Sequence, residues 1–97
     1  MGNLIGTISW TTSDGDIRYT NRLQDLSKRY GLSLIDHYWL EDEKKTYFEI
    51  GISGMSLWWK GETNANAMIK AFLFDAEEYL KKANANNIQT HVNFLPM

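Results

Sequence analysis

LIDHYWLEDEKKTYFEIGI, residues 34–52, reads as two strands joined by a charged turn at Glu41–Lys45. The second strand, Thr46 to Ile52, alternates cleanly. Phe48, Ile50 and Ile52 share one face, while Tyr47, Glu49 and Gly51 share the other, the period of a half-buried strand. The first, Leu34 to Leu40, fits two facings. Leu34, Asp36, Tyr38 and Leu40 compete with Ile35, His37 and Trp39. A strand at the edge of a sheet, wet on both faces, tolerates that ambiguity.

Working outward on the N-terminal side, Asn3 to Trp10 places Leu4, Ile8 and Trp10 on one face and Ile5, Thr7 and Ser9 on the other. This predicts a first strand, with Gly6 marking a close approach of backbone. The TTSDG segment has turn chemistry, and Ser13 with Asp16 resembles a capping box. A helix is expected from Asp14 to Tyr30, with the apolar stripe Tyr19, Leu23, Leu26 and Tyr30. Lys28 and Arg29 suit its last turn, and Gly31 suits a left-handed residue just past its end.

On the C-terminal side, Thr63 is expected to cap a helix running to Ala83. Its buried face is Ala65, Met68, Ile69, Phe72, Leu73, Ala76, Tyr79, Leu80 and Ala83. Lys81 and Lys82 again lie where the helix dipole favours cations. After an Asn-rich loop, Ile88 to Phe94 reads as a last strand. Ile88, Val92 and Phe94 point inward, Gln89, His91 and Asn93 point outward, and Pro96 ends it. The order is therefore β-α-β-β-α-β, an α+β ferredoxin-like sandwich in one domain, residues 1–97. Its antiparallel sheet is expected in the order 4-1-3-2, with both helices on one face. Such a fold hosts many unrelated functions and supplies none by itself.

Composition narrows the classes. The 97 residues are 43% hydrophobic and 13% aromatic, with a net charge of −2, a globular profile. There is no cysteine, which removes disulfides, thiolate zinc sites and thiol nucleophiles and fits a cytoplasmic protein. MGNLIGTISW lacks the basic start and long apolar run of a signal peptide. No apolar run reaches the ~20 residues that span a bilayer. Mild acidity disfavours binding driven by bulk phosphate attraction.

Most candidate sites meet a plainer explanation. His37 and His91 fall on the outer strands of the expected sheet, about 14 Å apart at ~4.8 Å per strand, too far to share one zinc. Asp14 and Asp16 lack the glutamate that closes a calcium loop, and cap or turn preferences explain them. Small metal-dependent nucleases of this fold end their first strand in an aspartate, where this chain has Trp10, Thr11 and Thr12. Arg18, Arg22 and Arg29 form a ridge on the first helix that suits phosphate or an acidic partner, although Asp25 is spaced to neutralise it. Tyr47 is expected on an open sheet face, the position where RNA modules stack bases. Glu49 beside it repels phosphate.

The remaining candidate is the aromatic turn Met55, Leu57, Trp58, Trp59 and Lys60. It reads either as a satellite core cluster with Trp10 or as an exposed anchor for a partner. No serine, histidine and acid set has a recognisable arrangement. The residues point to a small non-enzymatic module that binds another protein through Met55, Trp58, Trp59, Lys60, Tyr47 and Glu49, with no cofactor and no metal. Inhibitors and regulators carried by phages or other mobile elements, including those aimed at host defence such as CRISPR systems, are of this compact kind. Two other readings stay open: a small dimeric enzyme or ligand-binding protein with a pocket between sheet and helices, and RNA binding on the open face. The open face also offers a surface for a homodimer.

Overall fold

The computed structural model describes residues 3–11, 18–52 and 61–95. Its elements are β1 (Asn3–Thr11), α1 (Arg18–Arg29), β2 (Ser33–Leu40), β3 (Lys45–Ile52), α2 (Glu62–Lys82) and β4 (Asn86–Leu95). The four strands form one antiparallel sheet in the order β2-β3-β1-β4. This is the expected order read from the other edge, with β1 and β3 central. The expected capping box at Ser13 and Asp16, and the helix start at Asp14, lie outside the described residues.

Strand parity assigns the two faces. Leu4, Ile8 and Trp10 on β1 and Phe48, Ile50 and Ile52 on β3 are buried in one core with Leu23 of α1. Ala65, Ile69, Phe72, Leu73, Ala76 and Leu80 of α2 complete it. Gly6 faces the same layer, and a β-carbon there would lie 2.5 Å from Ile69 Cγ2 and 3.0 Å from Ile50 Cδ1. Glycine at this point therefore lets α2 sit down on β1. α1 is held beside α2 by the Tyr30 hydroxyl, which donates to the Asp75 carboxylate, and by edge-on ring contacts of Tyr30 with Phe72 and Tyr19 with Tyr79.

Both helices end by the same device. Gly31 (φ 68°) and Asn84 (φ 64°) are left-handed. Leu32 N–H donates to Ser27 C=O and Gly31 N–H to Lys28 C=O. Ala85 N–H and Asn84 N–H do the same to Leu80 and Lys81, the Schellman pattern. The start of α2 departs from expectation. Gly61, at φ 83°, precedes the helix and accepts the Ala65 N–H, so Thr63 lies within the first turn and does not cap. A residue free to adopt positive φ opens the helix earlier than a hydroxyl side chain would.

Gly6→Ala should lower unfolding free energy by about 1–3 kcal/mol, the usual cost of overpacking a filled core. Chemical denaturation measures it. Combining Gly6→Ala with Ile69→Ala should cost less than the two single changes added together, because the second substitution removes the atom that the new methyl meets.

Candidate functional site

The sheet face opposite the helices is the open one. Its rows are set by the register: Asp36, Glu49, Thr7 and His91 lie across one row of the four strands, and Tyr38, Tyr47, Ser9 and Gln89 across the next. The facing of β2, ambiguous in sequence, is settled by a bulge. Leu34 pairs with Ile50 and Asp36 with Glu49, so Ile35 is inserted between them. Gly51 leaves room for it, since a β-carbon there would lie 2.7 Å from Ile35 Cδ1. Leu34, His37 and Trp39 consequently belong to the helix side, and Ile35, Asp36, Tyr38 and Leu40 to the open side. Each of the two competing sequence patterns holds for half of the strand.

The β2–β3 half of this face is apolar and aromatic. Ile35 is 49% exposed, and Tyr38 and Leu40 are each 39% exposed. The Tyr38 and Tyr47 rings stack with centroids 5.1 Å apart and planes 14° apart, an offset arrangement favourable beyond simple burial. Carboxylates surround the stack. The Tyr47 hydroxyl donates to Glu43 Oε2 at 2.8 Å, and Asp36 is the direct cross-strand neighbour of Glu49. Like charges directly opposite one another cost stability. The β1–β4 half is polar, with a shallow depression of about 450 Å³ lined by Thr7, Ser9, Tyr47, Gln89 and His91.

The negative field acts on both phenols. Partial burial, then the charges of Glu49, Asp36 and Glu43, raise the Tyr38 pKa above its ordinary 10.0. The Tyr47 pKa is raised by its hydrogen bond to Glu43, with smaller contributions from burial and from the Glu43 charge. On the other side of the hairpin, Lys44 Nζ stands 5.6 Å from the centre of the Trp39 ring, and a left-handed Lys44 (φ 54°) closes the turn.

Of the residues singled out by sequence, Tyr47 and Glu49 sit side by side on the open face. Met55, Trp58, Trp59 and Lys60 lie outside the described residues. His37 and His91 fall on the two outer strands and on opposite faces. Among the described residues, no three His, Asp or Glu side chains converge as metal ligands would. No ion pair joins Asp25 to Arg22 or Arg29 among them either; Lys81 and Glu77 on α2 approach to 3.8 Å. Sequence reasoning left the facing of β2 open and so did not name Tyr38, Ile35 and Asp36 as site residues; Asp36 and Tyr38 share one of the two patterns, and Ile35 joins them only through the bulge.

No protein-family model matches the sequence, and no curated protein matches it. Among solved structures, the chain is similar to the aspartate kinase of Clostridium acetobutylicum, described as an important allosteric enzyme for industrial amino acids production. The two share 15% identity, with a TM-score of 0.47 over 95% of this chain and 18% of the kinase chain. This chain thus spans less than a fifth of the kinase's length. No helix among the described residues is long and apolar enough to cross a membrane.

Because both tyrosines are held neutral in the folded state, the stability they confer is present below pH 10 and is lost as pH rises through their elevated pKa values. Alkaline titration of the ring-carbon NMR signals should show Tyr38 and Tyr47 ionising later than a free tyrosine. Glu43→Gln should move Tyr47 back toward 10 while moving Tyr38 less.

Proposed function

We propose that this chain is a small non-enzymatic protein-binding module of ferredoxin-like fold whose contact surface is the open face of its sheet. The observation that carries this reading is the Tyr38–Tyr47 stack, half exposed and set among Asp36, Glu43 and Glu49. Stacked tyrosines offer a large, rigid contact area at low entropic cost, as partner-binding surfaces use them. The facing carboxylates Asp36 and Glu49 repel one another until a cation sits over them, so the favoured partner presents arginine or lysine. Cations also bind favourably over tyrosine rings. An inhibitor or regulator works in this manner, by occupying a basic surface of its target, and the anti-defence type fits that description. Met55, Trp58, Trp59 and Lys60 are further partner-binding candidates by sequence alone and lie outside the described residues.

The acidic rim also separates this reading from RNA binding, in which a phosphate backbone would meet carboxylates. The test is an NMR titration of the labelled chain with an arginine-rich peptide, a glutamate-rich peptide and oligouridine. The basic peptide should shift the amides of Tyr38, Tyr47 and Glu49, and the other two should not. Tyr47→Ala and Glu49→Lys should each weaken that binding by roughly tenfold, about 1.4 kcal/mol. Oligouridine perturbing the face while the basic peptide leaves it unchanged overturns the proposal.

A further inference from the structure

The two edges of the sheet are built differently. β2 carries the bulge at Ile35, and the Asp36 carboxylate accepts the His37 backbone N–H at 2.8 Å. Bulges and charges are the devices by which edges resist pairing. β4 has neither along most of its length. Its register with β1 is regular from Gln89 to Leu95, with the one irregularity at its start, where Asn87 (φ 53°) donates to Thr11 Oγ1. Its sequence, NNIQTHVNFL, contains no Lys, Arg, Asp, Glu or Pro. Among the described residues nothing pairs with its outer side.

Beside that edge lies the most exposed large apolar side chain among the described residues, Phe74 of α2, at 63%. It borders a groove of about 250 Å³ between α2 and β4, formed with Leu73 and Val92 and flanked by Lys70 and Glu77. We infer that this edge is a homodimer interface, in which β4 pairs antiparallel with β4 of a second copy across a two-fold axis near His91, giving one continuous eight-stranded sheet.

Geometry and charge both select a second copy as the occupant. With strands ~4.8 Å apart, the axis lies about 2.4 Å from β4 and about 7.2 Å from β1. α2 packs over both strands, through Gly6 on β1 and the groove on β4, which puts it about 5 Å from the axis. The two copies of α2 then run antiparallel about 10 Å apart, the distance at which helices pack through their side chains. Phe74 meets its counterpart at the seam. Lys70, one turn before it, faces Glu77 of the other copy, one turn after, which also lies 3.8 Å from Lys81 of its own helix, so the surface complements itself in charge. A two-fold interface must be self-complementary in this way. An uncharged strand also pairs with its own copy without like-charge repulsion. The seam borders the open face at His91, while the Tyr38–Tyr47 stack on the far strands stays uncovered on both copies.

Sedimentation velocity on the full chain from about 1 µM to several hundred µM tests this. The expected result is a concentration-dependent dimer. Phe74→Glu and His91→Lys, both at exposed positions that leave the core intact, should raise its dissociation constant roughly tenfold or more. Lys70→Glu should weaken it, and Lys70→Glu combined with Glu77→Lys should restore it. A Tyr38→Glu variant should dimerise as the wild type does. A monomer throughout the range overturns the inference, as does a dimer that Tyr38→Glu abolishes while Phe74→Glu and His91→Lys leave it unchanged. The peptide titration of the open face reads out independently of either result.

Discussion

The seating of α2 on β1 at Gly6 is the contact on which the rest of the structure depends. With no side chain at that position, Ile69 reaches the floor of the sheet, and the neighbouring turns of α2 bring Ala65, Phe72, Ala76 and Leu80 into the same layer. Phe72 then meets Phe48 at 6.2 Å between ring centres, and Trp10, Ile8 and Ile50 close over them, all without exposure. Each large apolar side chain fully buried contributes roughly 1.5–3 kcal/mol, and a helix held even slightly higher would forfeit contacts all along its length. α1 relies on this placement, since the residues that clasp Tyr30 and Tyr19 belong to α2.

Concentrating the core on one side leaves the other face of the sheet to water, and the chain uses it unevenly. The central strand β1 presents Thr7 there, with Ser9 almost covered by its neighbours and Ile5 at the other end. The outer hairpin presents Ile35, Tyr38, Leu40 and Tyr47 with carboxylates among them. This unevenness gives the open face a polarity from one edge to the other, so that a partner seated on it has one favoured orientation. In the binding function proposed for this face, the tyrosine stack supplies contact area and the acids supply selectivity of charge.

Much of the fold was legible because its signals were periodic. The β3 alternation, the broad apolar face of α2 and the Gly31 stop each arise from a single local rule, and the structure obeys them. The illegible parts are places where one residue breaks a rule. Ile35 inserts into β2 and swaps the faces of the residues after it, which no period-two reading can register. Gly61 starts α2 where a capping hydroxyl was expected two residues later. Phe74 could have been found. It falls off the apolar stripe of α2 by spacing alone, and a phenylalanine on the wet side of a helix is itself a signal. The Tyr38–Tyr47 pair required the cross-strand register, which is a property of two segments together.

The bulge in β2 also bears on how far an assembly of this chain can grow. A sheet with two flat edges adds copies at both ends, and each addition exposes a fresh edge for the next, which is how open-ended fibres propagate. Here the inserted Ile35 and the carboxylate that takes up the His37 N–H make one end of the sheet a poor template. Association along the sheet through β4, as proposed, therefore stops at the β2 edge. In the proposed dimer the β4 edges are consumed against each other, only the bulged β2 edges remain, and the particle is finite.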